Sequence, residues 1–300
     1  MTPLPAPAEA ARGALAAALC YLFWGLVPLY WRQLAVVDAV ELIAHRLVWS
    51  LVFVMAVIFY RAGWKELRAA LGTRRGVGLN LLSSALLTGN WLVYVWGVNS
   101  GHVIECSLGY FLVPLLNTAL GRWVLRERLR PAQLVAIGCA AVGVAVQLVQ
   151  VGRLPWIALT LAVTFGGYGL LRKLSPLGPL TGLAVETTLL APAAAAFLLW
   201  RQHTGEGALG HASATLQALV LSTGVVTAVP LLLFAYGARR IRLTTLGLLQ
   251  YIAPTVQFTL GVTVFQETFD RHQALAFVFI WAGLVLYTID NLRNLRAVAR

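Results

Sequence analysis

The sequence predicts an all-α integral membrane protein with ten transmembrane helices, arranged as two inverted five-helix repeats (5+5). Apolar residues make up 59% of its 300 residues and charged residues only 11%, with a mean hydropathy of +0.78. Apolar stretches recur along the whole chain, and its two halves repeat one another at a constant offset of 140 residues. A soluble core cannot bury this much apolar surface, so a lipid bilayer is the first predicted partner.

Ten stretches are long and apolar enough to cross a membrane. A helix rises about 1.5 Å per residue, so a hydrocarbon layer of about 30 Å needs about 20 mostly apolar residues. The stretches that meet this length lie at about residues 13–31, 42–60, 77–98, 104–125, 132–150, 155–171, 180–200, 215–237, 244–265 and 273–289. Runs such as 51–60 do not alternate between apolar and polar residues, so the stretches are predicted as helices and not as barrel strands.

The internal repeat is carried by glycine, proline and polar residues, which shared hydrophobicity does not explain. The pairs matched at an offset of 140 include Gly97 and Gly237, Pro114 and Pro254, Glu127 and Glu267, Gln133 and Gln273, and Gly143 and Gly283. Residues 126–130 read RERLR, whereas the equivalent residues 266–270 read QETFD. Because Lys and Arg collect in cytoplasmic loops, this difference indicates that the two repeats lie in opposite orientations.

The distribution of basic residues sets the predicted orientation. With both termini cytoplasmic, 18 of the 23 Lys and Arg residues fall on the inner side, as the positive-inside rule requires. The net charge of +12 therefore reflects membrane topology, and no nucleic-acid partner is predicted. The expected organisation is a disordered cytoplasmic tail at 1–12, a first repeat at 13–150, a second at 154–290 and a basic cytoplasmic tail at 291–300.

Five segments resemble those of one known family. They are residues 24–31 (WGLVPLYW), 41–50 (ELIAHRLVWS), 90–102 (NWLVYVWGVNSGH), 107–111 (SLGYF) and 246–254 (LGLLQYIAP). From about residue 13 to 290, the chain resembles the RarD or chloramphenicol-sensitive proteins, in the EamA branch of the drug/metabolite transporter superfamily. The resemblance implies a bacterial inner-membrane protein with ten helices and two EamA-type repeats. It leaves the solute open, because relatives in the superfamily carry amino acids, nucleotide-sugar-like solutes and other metabolites.

Four ionisable residues lie near the predicted outer side, in or beside apolar spans: Glu41, His45, Arg46 and Glu105. Each costs about 2.5–3.5 kcal/mol on insertion scales, so it needs a partner, a water-filled cavity or a function. In a functional interpretation, Arg46 closes an outer gate with Glu105 or another acid, and Glu41 or His45 exchanges protons. In a structural interpretation, the residues form a static hydrogen-bonded cluster at a helix end, with Glu41 reaching the lipid headgroups.

Glu186 is the only acid well inside the predicted spans of the second repeat. An alignment of the second and seventh spans at an offset of 141 places it opposite His45. An acid and a histidine are suited to proton exchange near neutral pH, so Glu186 is a candidate for solute binding or for coupling to H+. The alternative is a structural ion pair with Arg172 or Lys173.

Two prolines and a group of polar and aromatic residues mark the predicted cavity. Pro114 and Pro254 lie in the middle of equivalent spans, where each should kink its helix and free a backbone carbonyl. The residues suited to hold a solute by hydrogen bonding and stacking are Asn90, Trp91, Tyr94, Tyr110, Asn117, Gln250, Tyr251 and Gln257. About half of them are expected to face the cavity, and the others to bond neighbouring helices.

These features predict a secondary active transporter, or permease, for a small organic solute such as a metabolite, amino acid or drug. Inverted repeats permit alternating access, in which a central site opens to one side of the membrane and then to the other. Coupling to H+ is left open, as is the choice between monomer and homodimer. No ATP-binding motif, zinc-site spacing or hydrolase elbow is present in the sequence, so no cofactor, metal or enzyme activity is expected. The alternative from another class is an intramembrane enzyme that uses Glu41, His45 and Glu105.

Overall fold

The computed structural model describes residues 7–61, 63–100, 102–151, 154–209, 213–264, 266 and 271–298. Every regular element in this part of the chain is helical. The helices are α1 (Pro7–Leu26), α2 (Pro28–Trp31), α3 (Ala39–Tyr60), α4 (Trp64–Leu71), α5 (Arg74–Asn99), α6 (Val103–Trp123), α7 (Pro131–Val151), α8 (Trp156–Leu174), α9 (Pro179–His203), α10 (Ala214–Arg240), α11 (Leu243–Gln250), α12 (Ile252–Thr263) and α13 (Arg271–Val298), with a 3-10 turn at Arg32–Leu34. The all-α part of the predicted fold class is therefore confirmed.

Six helical segments of the described chain are long and apolar enough to cross a membrane. They are Ala8–Leu34, Ala39–Tyr60, Gly76–Gly97, Trp156–Leu174, Pro179–His203 and Ala214–Arg240. The other four predicted stretches fall on α6, on α7, on the pair α11 and α12, and on α13. Large apolar side chains such as Phe59, Val149 and Leu199 remain exposed on the outside of the bundle, as expected of surfaces that face lipid. The chain is therefore a multi-pass membrane protein.

The ninth predicted span, 244–265, is interrupted near Pro254. Helix α11 ends at Gln250 and α12 begins at Ile252, because Pro254 has no N–H to bond the carbonyl of Gln250. The equivalent helix α6 instead continues through Pro114. Of the two predicted kinks, the one at Pro254 is thus a break between two helices, whereas the helix is not interrupted at Pro114.

The first predicted span, 13–31, is also interrupted, and this break was not predicted from the sequence. Helix α1 ends at Leu26 and α2 begins at Pro28, which leaves the carbonyl oxygen of Trp24 without a backbone donor. The side chain of Gln257 on α12 donates from Nε2 to this oxygen at 3.0 Å. Gln257, predicted as a solute-binding candidate, therefore joins two interrupted helices.

The chain ends are more helical than predicted. Residues 7–12, predicted as part of a disordered tail, instead form the first turns of α1, since Pro7 and the early Glu9 both favour a helix start. Residues 1–6 lie outside the described residues. At the other end α13 runs to Val298, so most of the predicted basic tail at 291–300 continues that helix.

Contacts between the two repeats occur in matched pairs. A Cβ at Gly143 on α7 would lie 2.6 Å from the carbonyl oxygen of Ala276 on α13. A Cβ at Gly283 on α13 would lie 2.5 Å from the carbonyl oxygen of Ala136 on α7. Each residue differs from its counterpart by 140 positions, so the two contacts exchange roles as contacts about a twofold axis do.

A second set of contacts, between α5 and α8 and between α10 and α1, exchanges roles in the same way. A Cβ at Gly97 on α5 would lie 3.4 Å from the side chain of Ile157 on α8, and one at Gly237 on α10 would lie 3.0 Å from that of Ala17 on α1. Gly237 and Ile157 are again the counterparts of Gly97 and Ala17 at an offset of 140. The repeat found in the sequence is therefore also present in the packing.

Glu127, one of the repeated residues, caps a helix of the other repeat. Its carboxylate accepts the backbone N–H of Leu243 at 2.7 Å and that of Thr244 at 3.1 Å, both in the first turn of α11. It also accepts the hydroxyl of Thr244 at 2.9 Å. An anion at this position satisfies N–H groups that have no partner within the helix, so Glu127 has a structural role that links the repeats.

The residue before each repeated glutamate has the same backbone conformation. Arg126 has a φ of 54° and Gln266 a φ of 53°, and the two are 140 residues apart. Non-glycine residues seldom adopt this left-handed conformation, so the repeat extends to the backbone at these two residues. Residues 267–270, including Glu267, lie outside the described residues.

Four long helices meet at the centre of the molecule, two from each repeat. Helix α3 packs on α9 and α10, and α5 packs on α9. Around them, α1 packs mainly on α10 and α6 mainly on α8, while α7 and α13 pair with each other. The centre is therefore a boundary between the repeats, and the candidate site lies there.

Candidate functional site

A cavity lies where α3, α5, α9 and α10 meet, with about 310 Å³ of space between its lining atoms, including space open to solvent. Its lining residues are Arg46, Leu47 and Ser50 on α3, Ser84, Leu87, Thr88 and Trp91 on α5, Leu183, Glu186, Thr187 and Leu190 on α9, and Thr227 and Leu231 on α10. Five leucines make the wall largely apolar, and Arg46 and Glu186 bring opposite charges to it. Sites for small organic molecules combine an apolar wall with a few polar groups in this way.

Arg46 is held at the cavity by two tryptophans and a threonine. Its Nε donates to Oγ1 of Thr227 at 3.0 Å. The central carbon of its guanidinium lies 3.9 Å from the ring centre of Trp91 and 5.0 Å from that of Trp31. These distances are typical of cation–π contacts, which favour a charged arginine at this position.

The predicted outer gate between Arg46 and Glu105 is not formed. Ion pairs between described residues do not include these two side chains. The reason is the packing of their helices, because α3 packs mainly on α9 and α10, whereas α6 packs mainly on α8 and α11. Glu105 is buried on α6 and does not line the cavity described above.

Glu186 forms a buried ion pair. Its Oε1 lies 3.3 Å from Nη1 of Arg172 and accepts a hydrogen bond from the hydroxyl of Ser83. Glu186 is only 3% exposed and Arg172 only 1%. Oε2 of Glu186 has no hydrogen-bond partner among the described residues. Pairing with Arg172 was one predicted alternative and is present here, whereas Lys173 bonds backbone carbonyls at the end of α10.

Arg172 reaches Glu186 because α9 carries no side chain at Gly182. A Cβ at Gly182 would overlap the guanidinium of Arg172. Gly182 precedes Glu186 by four residues and therefore lies on the same face of α9. Gly182 was not predicted as a site residue, and its spacing of four from Glu186 is the sequence signal that could have found it.

Glu41 and His45 form a second buried cluster near the start of α3. Glu41 Oε2 pairs with Nη2 of Arg201 at 3.2 Å, and Oε1 accepts the backbone N–H of Ala208 at 2.7 Å. Nε2 of His45 lies 3.5 Å from Oε1 of Glu41. Glu41 is 2% exposed, so the expectation that it reaches the headgroups is wrong, because the end of α9 and the following loop cover it. The geometry supports a structural tie between α3 and α9.

Most of the predicted polar candidates join helices to one another. Asn90 Nδ2 donates to the carbonyl of Leu161 and to Oγ1 of Thr164, both at 2.9 Å, and its Oδ1 accepts from the hydroxyl of Tyr110 at 3.2 Å. Other such contacts pair Asn117 with Gln250 at 3.5 Å, Tyr251 with the carbonyl of Phe111 at 3.3 Å, Gln257 with Trp24 as described, and the ring of Tyr94 with that of Tyr110 at 5.5 Å between ring centres.

Of these eight predicted candidates, Trp91 is the one that lines the cavity. The expectation that about half would do so is therefore not met. The physical reason is that amides and hydroxyls inside a bundle find partners on adjacent helices, which leaves them unavailable to a solute.

The hydroxyl residues of the cavity were not predicted from the sequence. These are Ser50, Ser84, Thr88, Thr187 and Thr227. Ser50 follows Arg46 by four residues, and Thr88 follows Ser84 by four, so each pair shares one face of its helix. Hydroxyl residues at this spacing, in or beside a span with a charged residue, are the sequence signal that would have found them.

The three residues of the enzyme alternative lie on two helices. Glu41 and His45 are neighbours on α3, whereas Glu105 lies on α6, which packs mainly on α8 and α11. Among the described residues no group of three or more His, Cys, Asp and Glu side chains could hold a metal ion. Both carboxylate oxygens of Glu41 are also engaged, by Arg201 and by the backbone of Ala208.

A multi-pass helical bundle with a small charged cavity between its two repeats is the class of protein that this fold and site define. The chain belongs to the EamA-like transporter family, which matches residues 11–149 and 154–289. Its fold is also similar to that of one crystal structure, with a TM-score of 0.69 over 92% of this chain and 97% of the other at 20% sequence identity.

Individual relatives place the chain beside the RarD proteins. It is 44% identical to the protein RarD of Streptomyces exfoliatus over 92% of this chain and 88% of that protein. It is 38% identical to the protein RarD of Escherichia coli over 96% and 98%, and 40% identical to an uncharacterized transporter of Vibrio cholerae over 99% and 98%. The resemblance to RarD is thereby confirmed, and family and relatives together support a membrane transporter.

Proposed function

We propose that this protein is a secondary active transporter that carries a small organic solute through its central cavity by alternating access. The observation that carries this proposal is the origin of the cavity walls, since α3 and α5 come from the first repeat and α9 and α10 from the second. A site between two repeats can open to either side when one repeat rocks against the other. Saturable uptake and counterflow in proteoliposomes would support a carrier, and conversion of the solute into a new molecule would overturn it.

The proposed arrangement has ten spans in two inverted repeats, 13–150 and 154–290, in the inner membrane of a bacterium with both termini cytoplasmic. The exchanged contacts of Gly143 and Gly283 support a twofold relation between the repeats. An odd number of spans in each repeat makes that relation an inversion across the membrane. The excess of Lys and Arg in the loop 126–130 over the loop 266–270 supports the same orientation.

Cysteines placed in these two loops should react from opposite sides of the membrane. In a variant without Cys20, Cys106 and Cys139, we expect a membrane-impermeant maleimide to label Thr268→Cys in intact cells. It should label Arg128→Cys only after the membrane has been opened. Labelling of both positions from the same side would contradict the inverted arrangement.

Glu186→Gln should abolish gradient-driven transport while the protein still folds and inserts. Glutamine has the shape of glutamate and still accepts hydrogen bonds from Ser83 and Arg172, so it costs less stability than an apolar replacement would. It cannot take up and release a proton. Solutes found by comparing metabolites of cells with and without the protein would be assayed in proteoliposomes, with and without a pH gradient. Glu9→Gln, at an exposed acid in α1, should transport like the unmodified protein. Unchanged pH-dependent transport by Glu186→Gln would remove Glu186 from the coupling role.

A further inference from the structure

One charge at the cavity has no counter-charge among the described residues. Glu186 is paired with Arg172, and outside the cavity Glu41 is paired with Arg201. Arg46 differs, because no Asp or Glu of the described residues lies within ion-pair distance of its guanidinium. A cation within a membrane span is costly unless an anion or a water-filled cavity accompanies it. Counted over the part of the chain that the structure describes, the cavity therefore carries one uncompensated positive charge.

The guanidinium of Arg46 is held in place but has spare hydrogen-bond donors. Trp91 and Trp31 contact it at 3.9 and 5.0 Å, and Thr227 accepts its Nε–H. The N–H groups of both Nη atoms donate to no described residue, since the bond to Thr227 is the one that Arg46 makes to them. A guanidinium with free Nη groups matches the two oxygens of a carboxylate, which can accept two parallel hydrogen bonds.

The rest of the cavity limits what else the solute can carry. Its wall is largely leucine, which favours a solute with an apolar part. A doubly charged phosphate would need a second free cation, but Arg172 is already paired with Glu186. The amine of a zwitterion would need an uncompensated anion, but the charge of Glu186 is already balanced by Arg172, although its Oε2 has no hydrogen-bond partner among the described residues.

We propose that the cavity binds a small organic monocarboxylate, with its carboxylate on the Nη groups of Arg46 and its apolar part against the leucine wall. This inference rests on the proposed function, because it names the class of solute for the same cavity. The solute would supply the missing counter-charge on binding. An empty cavity would keep the cation, and a loaded cavity would be neutral.

Binding to the purified full-length protein in lipid nanodiscs tests the proposal. The probes are butyrate, hexanoate and benzoate, compared with the neutral amides of the same acids, with inorganic phosphate and with phenylalanine. We expect the carboxylates to raise the thermal unfolding midpoint and to change tryptophan fluorescence saturably, because Trp91 and Trp31 contact the binding group. Each amide should bind at least tenfold more weakly than its own acid. Phosphate and phenylalanine should bind at least tenfold more weakly than the tightest of the three carboxylates.

Three variants assign the response to Arg46. Arg46→Gln should weaken carboxylate binding at least tenfold, and Arg46→Lys should weaken it less because the charge remains while the paired donors are lost. Thr227→Val removes the acceptor that orients Nε and should weaken binding several-fold without removing any charge. Arg12→Gln, at an exposed arginine of α1, is the matched control and should bind like the unmodified protein.

Several results would overturn the proposal. These are equal binding of amides and acids, an equal response in Arg46→Gln and the unmodified protein, tighter binding of phosphate or phenylalanine, and no response to any carboxylate. The transport assays separate this failure from failure of the proposed function. A neutral or cationic solute carried with counterflow would overturn the monocarboxylate and leave the transporter standing. Carboxylate binding that depends on Arg46, without any transport, would support the monocarboxylate site and overturn the transporter.

Discussion

Replacing Arg172 with methionine is expected to lower the free energy of unfolding by about 3–5 kcal/mol. The change leaves Glu186 almost fully buried without its cation. Removal of one member of a buried ion pair is strongly destabilising because the charge that remains has neither water nor a partner. Glu186→Leu should cost a similar amount, since it leaves the Arg172 guanidinium in the same surroundings.

The double variant R172M/E186L separates the ion pair from the packing of the two side chains. It removes both charges together, so its loss of stability should be smaller than the sum of the two single losses, by about 2 kcal/mol or more. Equilibrium unfolding in mixed micelles would measure the three values, with Arg12→Met as the control at an exposed arginine. Strictly additive losses would show that Arg172 and Glu186 do not stabilise one another.

Gly224→Ala should lower the free energy of unfolding by about 2–3 kcal/mol, the range of overpacked cores. A Cβ at Gly224 on α10 would overlap the backbone carbonyl group of Trp49 on α3. Backbone atoms cannot rotate away as a side chain can, so the two helices must move apart. Arg46 and Thr227 lie on these same helices and are joined at 3.0 Å, so the separation should also disturb the cavity.

Gly138→Ala provides the matched control for this prediction. Gly138 lies within α7, where an added Cβ meets no atom within 4 Å. Both changes bring the same gain in helix propensity, about 1 kcal/mol, but only Gly224→Ala meets a neighbouring backbone. Thermal unfolding in detergent would compare the two variants. Equal midpoints would mean that α3 and α10 do not approach closely at Gly224.

The helical spans could be predicted because hydropathy and proline act locally. A run of about 20 apolar residues is visible in the sequence whatever its neighbours are, and the structure places a helix or a broken helix on each predicted stretch. The break near Pro254 followed from a proline in mid-span. The break before Pro28 was missed because that proline lies close to the end of its predicted stretch, 13–31, and was not weighed there as a helix breaker.

The partners of the charged residues were harder to predict because they are distant in the chain. Arg172 and Glu186 are 14 residues apart, across one short connection, and their pairing was among the alternatives. Arg46 and Thr227 are 181 residues apart, and Glu41 and Arg201 are 160 apart. No local pattern specifies such pairs, since they depend on which helices become neighbours.

The hydrogen bond from Gln257 to the Trp24 carbonyl limits how α1 and α12 can move relative to each other. It links the elbow before Pro28 to the segment after Tyr251, so the two elbows cannot bend independently while it holds. Any movement that draws α1 and α12 apart must first give up this bond, worth about 1 kcal/mol. If the proposed alternating access separates α1 from α12, the bond adds to the barrier between the two states, and a protein without it should exchange between them faster.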